Sequence, residues 1–92
     1  MGYSIRIKRS AAKELARIPR QDRPRIVHAI DGLGVNPLKG SSLKGETRGL
    51  RRVRVGDYRI VYEVLDDALL VLVVRVAHRR EVYRRLPGQA GR

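Results

Sequence analysis

A chain of 92 residues with 21 Lys and Arg against 9 Asp and Glu carries a formal net charge of +12, which points to a polyanionic partner. It is long enough for one core, which 42% hydrophobic residues can fill, and too short for two. The absence of cysteine excludes a disulfide framework and a thiolate metal site. The N-terminus has no signal-peptide apolar stretch, and the run at 68–74 is far short of the roughly 20 residues a spanning helix needs, so a cytoplasmic protein away from the membrane is expected.

In chain order, Tyr3, Ile5 and Ile7 alternate with Ser4, Arg6 and Lys8, the period of a half-buried strand. Ser10 is then a candidate N-cap for a short helix with Ala11, Leu15 and Ile18 on one face, ended by Pro19. A second helix starts between Arg20 and Pro24, with Asp22 as a possible cap. It carries the stripe Ile26, Ile30 and Leu33, and Gly34 is the expected C′ residue. His28 falls off that stripe and reads as a solvated helix histidine. Residues 35–48 show no sustained period and read as a long loop, made cationic by Lys39 and Lys44 and placed to flank a nucleic-acid path.

The stretch GLRRVRVGDYR at 49–59 reads as two strands joined at Gly56 and Asp57, since glycine at the first central position suits a two-residue hairpin loop. That turn sets Val55 opposite Tyr58, Arg54 opposite Arg59, Val53 opposite Ile60 and Arg52 opposite Val61. Arg52, Arg54 and Arg59 then share one face. Like charges directly across a ladder are destabilising, so such a face calls for an anion.

Asp66 and Asp67 turn the chain into the apolar run at 68–76, a central strand. The face of Arg75 stays open, because it depends on whether the turn is longer than two residues or a bulge intervenes. The last residues, 88–92, are a polar tail expected to fray from a single domain spanning 1–92. Strand, helical hairpin, then a three-stranded antiparallel meander make an α+β sandwich of two layers. Its helices cover Val53, Val55, Ile60 and Tyr62 and leave an open basic sheet.

The last strand should return His78, Arg79, Arg80 and Tyr83 to the sheet end that holds Arg59. Guanidinium donors, an imidazole that titrates near neutrality and a phenol fit phosphodiester cleavage without metal. A solvated basic face, or a docking surface for an acidic partner, is the competing reading of the arginines. No Asp, Glu and His cluster has metal-ligand spacing, and there is no phosphate-cradling glycine loop, nucleophile elbow or RRM motif.

The segments LKGETRGLRRVRVGDYRIVYEV and VAHRREVY, with the helical hairpin before them, resemble the RelE/ParE superfamily of type II toxin–antitoxin toxins, nearer to the RelE branch. The resemblance implies a RelE-like fold and an endoribonuclease that cuts mRNA in the ribosomal A site by attack of the ribose 2′-OH on the adjacent phosphate, without cofactor. It implies a cognate antitoxin as protein partner, with operator DNA bound through that complex. Arg54 and Arg52 match basic strand positions that are commonly Lys, Arg59 matches the family arginine of the GYR or DYR motif, and Arg79 the basic residue after the last strand. Tyr83 matches a terminal tyrosine, and His78 stands where some relatives carry a histidine. Arg51, Arg52, Lys44 and Arg80 complete the expected substrate-binding set. Arginine cannot accept a proton from the 2′-OH, which leaves His78 or Tyr83 as base, His78 being preferred. The alternative within the superfamily is a ParE-like toxin that inhibits DNA gyrase without cutting RNA.

Overall fold

Two short helices and five strands are defined in the computed structural model, which describes residues 2–43 and 49–82. The opening alternation forms β1, Ser4–Ile7, and the chain passes at once into α1, Arg9–Ala16. Ser10 does not cap this helix. Lys8 is the N-cap residue, its N–H bonded to Val73 O and its carbonyl already accepting the Ala12 N–H, so the helix begins two residues earlier than expected. At the other end, Arg23 Nη2 donates to Ala16 O (3.2 Å), a carbonyl the last turn leaves over, and to Ile18 O (2.9 Å) in the link to the next helix.

Helix α2, Arg23–Val35, tolerates Pro24 in its first turn. Asp22 precedes it but lies in the helical region (φ −94°, ψ −22°) and makes no side-chain cap; its Oδ1 accepts from Arg25 Nη2 at 3.1 Å instead. Gly34 lies inside the helix, and Asn36 is the C-cap. The glycine is required by packing: a Cβ there would stand 2.9 Å from Tyr3 O, where β1 docks through the Tyr3 N–H to Gly34 O bond of 2.7 Å.

The sheet runs β1-β5-β4-β3-β2, with β2 at Ser41–Ser42, β3 at Leu50–Val55, β4 at Tyr58–Leu65 and β5 at Leu70–His78. The meander β3, β4 and β5 is antiparallel, and β1 adds to β5 in parallel. The β3–β4 register is the one set by the Gly56–Asp57 turn. Gly56 takes φ +59° while Asp57 stays negative, the pattern of a type II′ turn. The two-residue strand β2, antiparallel to β3, lies within the stretch expected to be loop; two serines carry no period that could announce it.

Between β4 and β5 both options for Arg75 are realised. The link is a 3₁₀ turn, Asp66–Ala68, followed by Leu69 at φ +49°, and a bulge lets Val61 oppose Arg75 while Tyr62 opposes Val73. Arg75 thereby reaches the helix layer, its Nε 3.2 Å from Glu14 Oε2.

The helices cover the main core, in which Ile26, Ile30 and Leu33 meet Val53, Ile60, Tyr62, Val71, Val73 and Val76. The opposite face carries a second, smaller cluster of Leu50, Val61, Val74, Ala77 and Val82. The basic sheet is therefore partly covered rather than open, and Arg59 retains 8% of its exposure.

Candidate nucleic-acid interface

Alternation along β3 divides its arginines. Arg52 and Arg54 project to the face away from the helices, and Arg59 joins them directly across from Arg54. Arg54 is exposed and Arg52 half-buried. Arg59 is held low, with Nη1 donating to Gly56 O (3.0 Å) and Tyr58 O (2.9 Å), so two turn carbonyls offset part of the like-charge repulsion from Arg54.

Arg51 has the parity of Val53 and faces the helix side, which removes it from the arginine face. Its guanidinium donates to Gly40 O (2.6 Å), Leu38 O (3.2 Å) and Ser42 Oγ (3.0 Å). The buried Tyr62, opposite Arg51, donates to Pro37 O (2.7 Å) and accepts from Gly40 N (3.0 Å). Together they tie the 37–42 segment to the sheet. That places Lys39 beside Arg52 and Arg54 around a cleft of about 240 Å³. The sequence reading had Lys39 as a cation of a long loop flanking a nucleic-acid path; the clamp that fixes its position comes from Arg51 and Tyr62, further along the chain.

The end of β5 returns to the hairpin as expected. Two successive rungs read Arg54, Arg59, Ala77 and Val55, Tyr58, His78. Arg79 docks on the turn through its N–H to Asp57 O (2.8 Å), with an exposed 3.9 Å ion pair from Nε to Asp57 Oδ1. His78 packs edge-on to Tyr58, centroids 5.9 Å apart and planes at 80°. It shares the parity of Tyr58, so it stands on the helix side of the sheet end while Arg54 and Arg59 stand on the other. There it opens on a cleft of about 340 Å³ also lined by Glu14, Tyr58, Arg75 and Glu81. Its Nδ1 accepts the Arg80 N–H at 3.2 Å. The Arg80 side chain is exposed. Tyr83 and Lys44 lie outside the described residues.

Sequence reasoning also missed Glu14. Among the described residues the β1 side of β5 has no strand partner beyond Val73, and Glu14 Oε1 takes the Val76 N–H there at 2.9 Å. A carboxylate thus stands in for the missing strand next to the residues that carry His78.

Two helices on a five-stranded sheet with a basic β3–β4 hairpin define the class of small toxins seen in the crystal structure of the toxin–antitoxin complex RelBE2 from Mycobacterium tuberculosis. The match has a TM-score of 0.80 at 30% identity, covering 86% of this chain and all of that one. The family model of the ParE toxin of type II toxin–antitoxin systems matches residues 5–83. Toxin RelG of Mycobacterium tuberculosis is 34% identical over 91 residues, covering 92% of this chain and all of that protein. Toxin RelE of the same organism is 34% identical over 87 residues, with coverage of 92% and 90%. This chain belongs to the RelE/ParE family of type II toxin–antitoxin toxins.

Proposed function

We propose that this toxin is an endoribonuclease that enters the ribosomal A site and cuts mRNA by attack of a ribose 2′-OH on the adjacent phosphate, leaving a 2′,3′-cyclic phosphate and a 5′-OH. The observation that carries the reading is the pair of adjacent rungs that sets Arg54 and Arg59 beside Tyr58 and His78 at one end of the sheet. Arg54 and Arg59 stabilise the charge that grows on the phosphorane oxygens, supported by Arg79 at the turn. His78, on the helix side of the same sheet end, is assigned to the donor side, reaching the departing 5′ oxygen around the end of the sheet. That reverses the preference for His78 as base and leaves the base role to Tyr83 or to the ribosome. A cognate antitoxin is the natural protein partner, as in the relative solved as a toxin–antitoxin complex, and a basic toxin of this charge fits an acidic or amphipathic segment. The complex reaches operator DNA through that partner, and the free toxin acts in the cytoplasm.

A second reading, inhibition of DNA gyrase, is favoured by one observation: the family model that matches is that of the ParE toxin. Primer extension on message recovered from a translating extract separates the two. Codon-phased cuts that do not occur on free RNA support the ribonuclease; intact message with gyrase trapped on cleaved DNA supports the inhibitor.

A further inference from the structure

We infer that Glu14 is a positioning residue for His78: its carboxylate grips the end of β5 where that strand has lost one neighbour and just passed a bulge, and so holds the imidazole at the hairpin end. The inference deepens the ribonuclease reading, on which its catalytic consequence rests. Strand β1 pairs with β5 from Leu70 to Val73, and the Lys8 N–H closes that ladder on Val73 O. The chain then leaves for α1, so among the described residues β5 runs on from Val74 with β4 as its one strand neighbour. Even that ladder is interrupted: Tyr62 opposes Val73 and Val61 opposes Arg75, which makes Val74 the extra residue of the bulge. Four rungs, from Arg75 to His78, are left to carry the imidazole. Such a segment tilts and frays more readily than a strand paired on both sides.

Glu14 meets that segment with both oxygens. Oε1 accepts the Val76 N–H at 2.9 Å, and Oε2 stands 3.2 Å from Arg75 Nε. The helix backbone behind the carboxylate is itself fixed, because Ala11 and Ile18 are buried in the main core, Leu15 packs against it, and Arg23 holds the carbonyls of Ala16 and Ile18. Two residues past Val76, His78 projects to the same side of the sheet and lies edge-on to Tyr58 at 5.9 Å. A tilt of the segment would open that contact, since Tyr58 belongs to β4 and the hairpin while His78 belongs to the end of β5. Glu14, Tyr58, Val76 and His78 line one cleft of about 340 Å³, so the grip acts next to the imidazole. Both carboxylate oxygens are engaged within the fold, and Glu14 therefore acts through the strand rather than on the substrate.

The test compares Glu14→Asp with Glu14→Gln in two arms. Aspartate keeps the charge but retreats by about 1.5 Å, one carbon–carbon bond, and loses the Val76 N–H; glutamine keeps an oxygen within reach of that N–H and gives up the ion pair. By NMR on the free toxin, Glu14→Asp should exchange the Val76 amide at least about tenfold faster than the wild type and weaken the nuclear Overhauser effects between the Tyr58 and His78 rings. Glu14→Gln should keep both. On programmed ribosomes, Glu14→Asp should lower kcat roughly 10- to 100-fold with KM within about twofold, and Glu14→Gln should stay within about threefold of the wild type in both. A residue that served stability alone would move the melting temperature and leave the kcat of the folded protein where it was. Circular dichroism confirms that the variants fold; should Glu14→Asp fail, Glu14→Ala, the better helix former, replaces it. Wild-type Val76 exchange with an intact Tyr58–His78 contact in the folded short variant overturns the inference, and so does wild-type kcat in that variant on ribosomes where the wild type cuts. Glu14→Gln as slow as Glu14→Asp overturns it too, by making charge rather than the grip on the strand the working property. If the wild type leaves message intact, the ribonuclease reading fails, while the NMR arm, which needs no ribosome, still decides whether Glu14 places His78.

Discussion

Arg51 and Arg52 are neighbours in the chain, yet the two faces of the sheet give them opposite work. On the helix face Arg51 is a tie between β3 and the 37–42 segment; on the other face Arg52 joins Lys39 and Arg54 around an open cleft. The helix face builds its core from Ile26, Leu33, Ile60, Tyr62 and Val73, with the Tyr62 hydroxyl bonded to both Pro37 O and Gly40 N. The outer face closes over a smaller apolar cluster at Val61, Val74 and Val82 and leaves its cations at the edge and the hairpin end. Parity along a strand, rather than residue type, decides which face of the sheet each of these two arginines serves.

The largest expected effect lies on the outer face. Arg54→Ala should lower cleavage of message by about 10²- to 10³-fold, the loss of roughly 2 to 4 kcal/mol of transition-state stabilisation, with the melting temperature unchanged because the side chain is exposed. Arg59→Ala should lose cleavage likewise but also stability, by about 1 to 3 kcal/mol, since its buried guanidinium holds the Gly56 and Tyr58 carbonyls. On the helix face the order of effects reverses: Tyr62→Phe should cost about 1 to 3 kcal/mol in urea unfolding, because Gly40 N–H and Pro37 O both lose their partner. Glu14→Ala should cost about 1 to 2 kcal/mol by the same measurement, as the Val76 N–H and Arg75 are left without the carboxylate. The smallest effect is a pH dependence at the β4–β5 link. The Tyr3 phenol donates to Asp66 Oδ1 at 2.6 Å, and that bond, with some burial and the adjacent negative charge, holds its pKa above the usual 10.0. A raised folded pKa stabilises below the unfolded value and is lost as pH rises through the folded one. Tyr3→Phe should therefore be less stable than the wild type at neutral pH, with the gap closing well above pH 10.0.

Regular periods made much of this molecule legible. Alternation at Val53, Val55, Ile60 and Tyr62 and the Gly56–Asp57 turn were enough to set the β3–β4 register, because local chemistry at a two-residue loop determines it, and an antiparallel β5 beside β4 then returns its end to the hairpin. Long-range partners were not legible. Nothing near Gly34 indicates that Tyr3 O will stand against it, and nothing near Glu14 indicates that its carboxylate will take the Val76 N–H. The same limit applies to the site: Arg51 looked like another member of the basic set, since its acceptors at 38–42 become visible once β2 has formed. His78 was placed at the right end of the sheet but on the other side of it from Arg59, a consequence of its pairing with Tyr58.

The most direct test of the ribonuclease account is the chemistry of the cut ends. Message from a translating extract treated with the toxin should yield downstream fragments with a 5′-OH, labelled by polynucleotide kinase without phosphatase, and upstream fragments ending in a 2′,3′-cyclic phosphate, both lost with Arg54→Ala. Intact message, or fragments carrying a 5′-phosphate, would contradict attack by the 2′-OH and with it the role assigned to the hairpin end of the sheet.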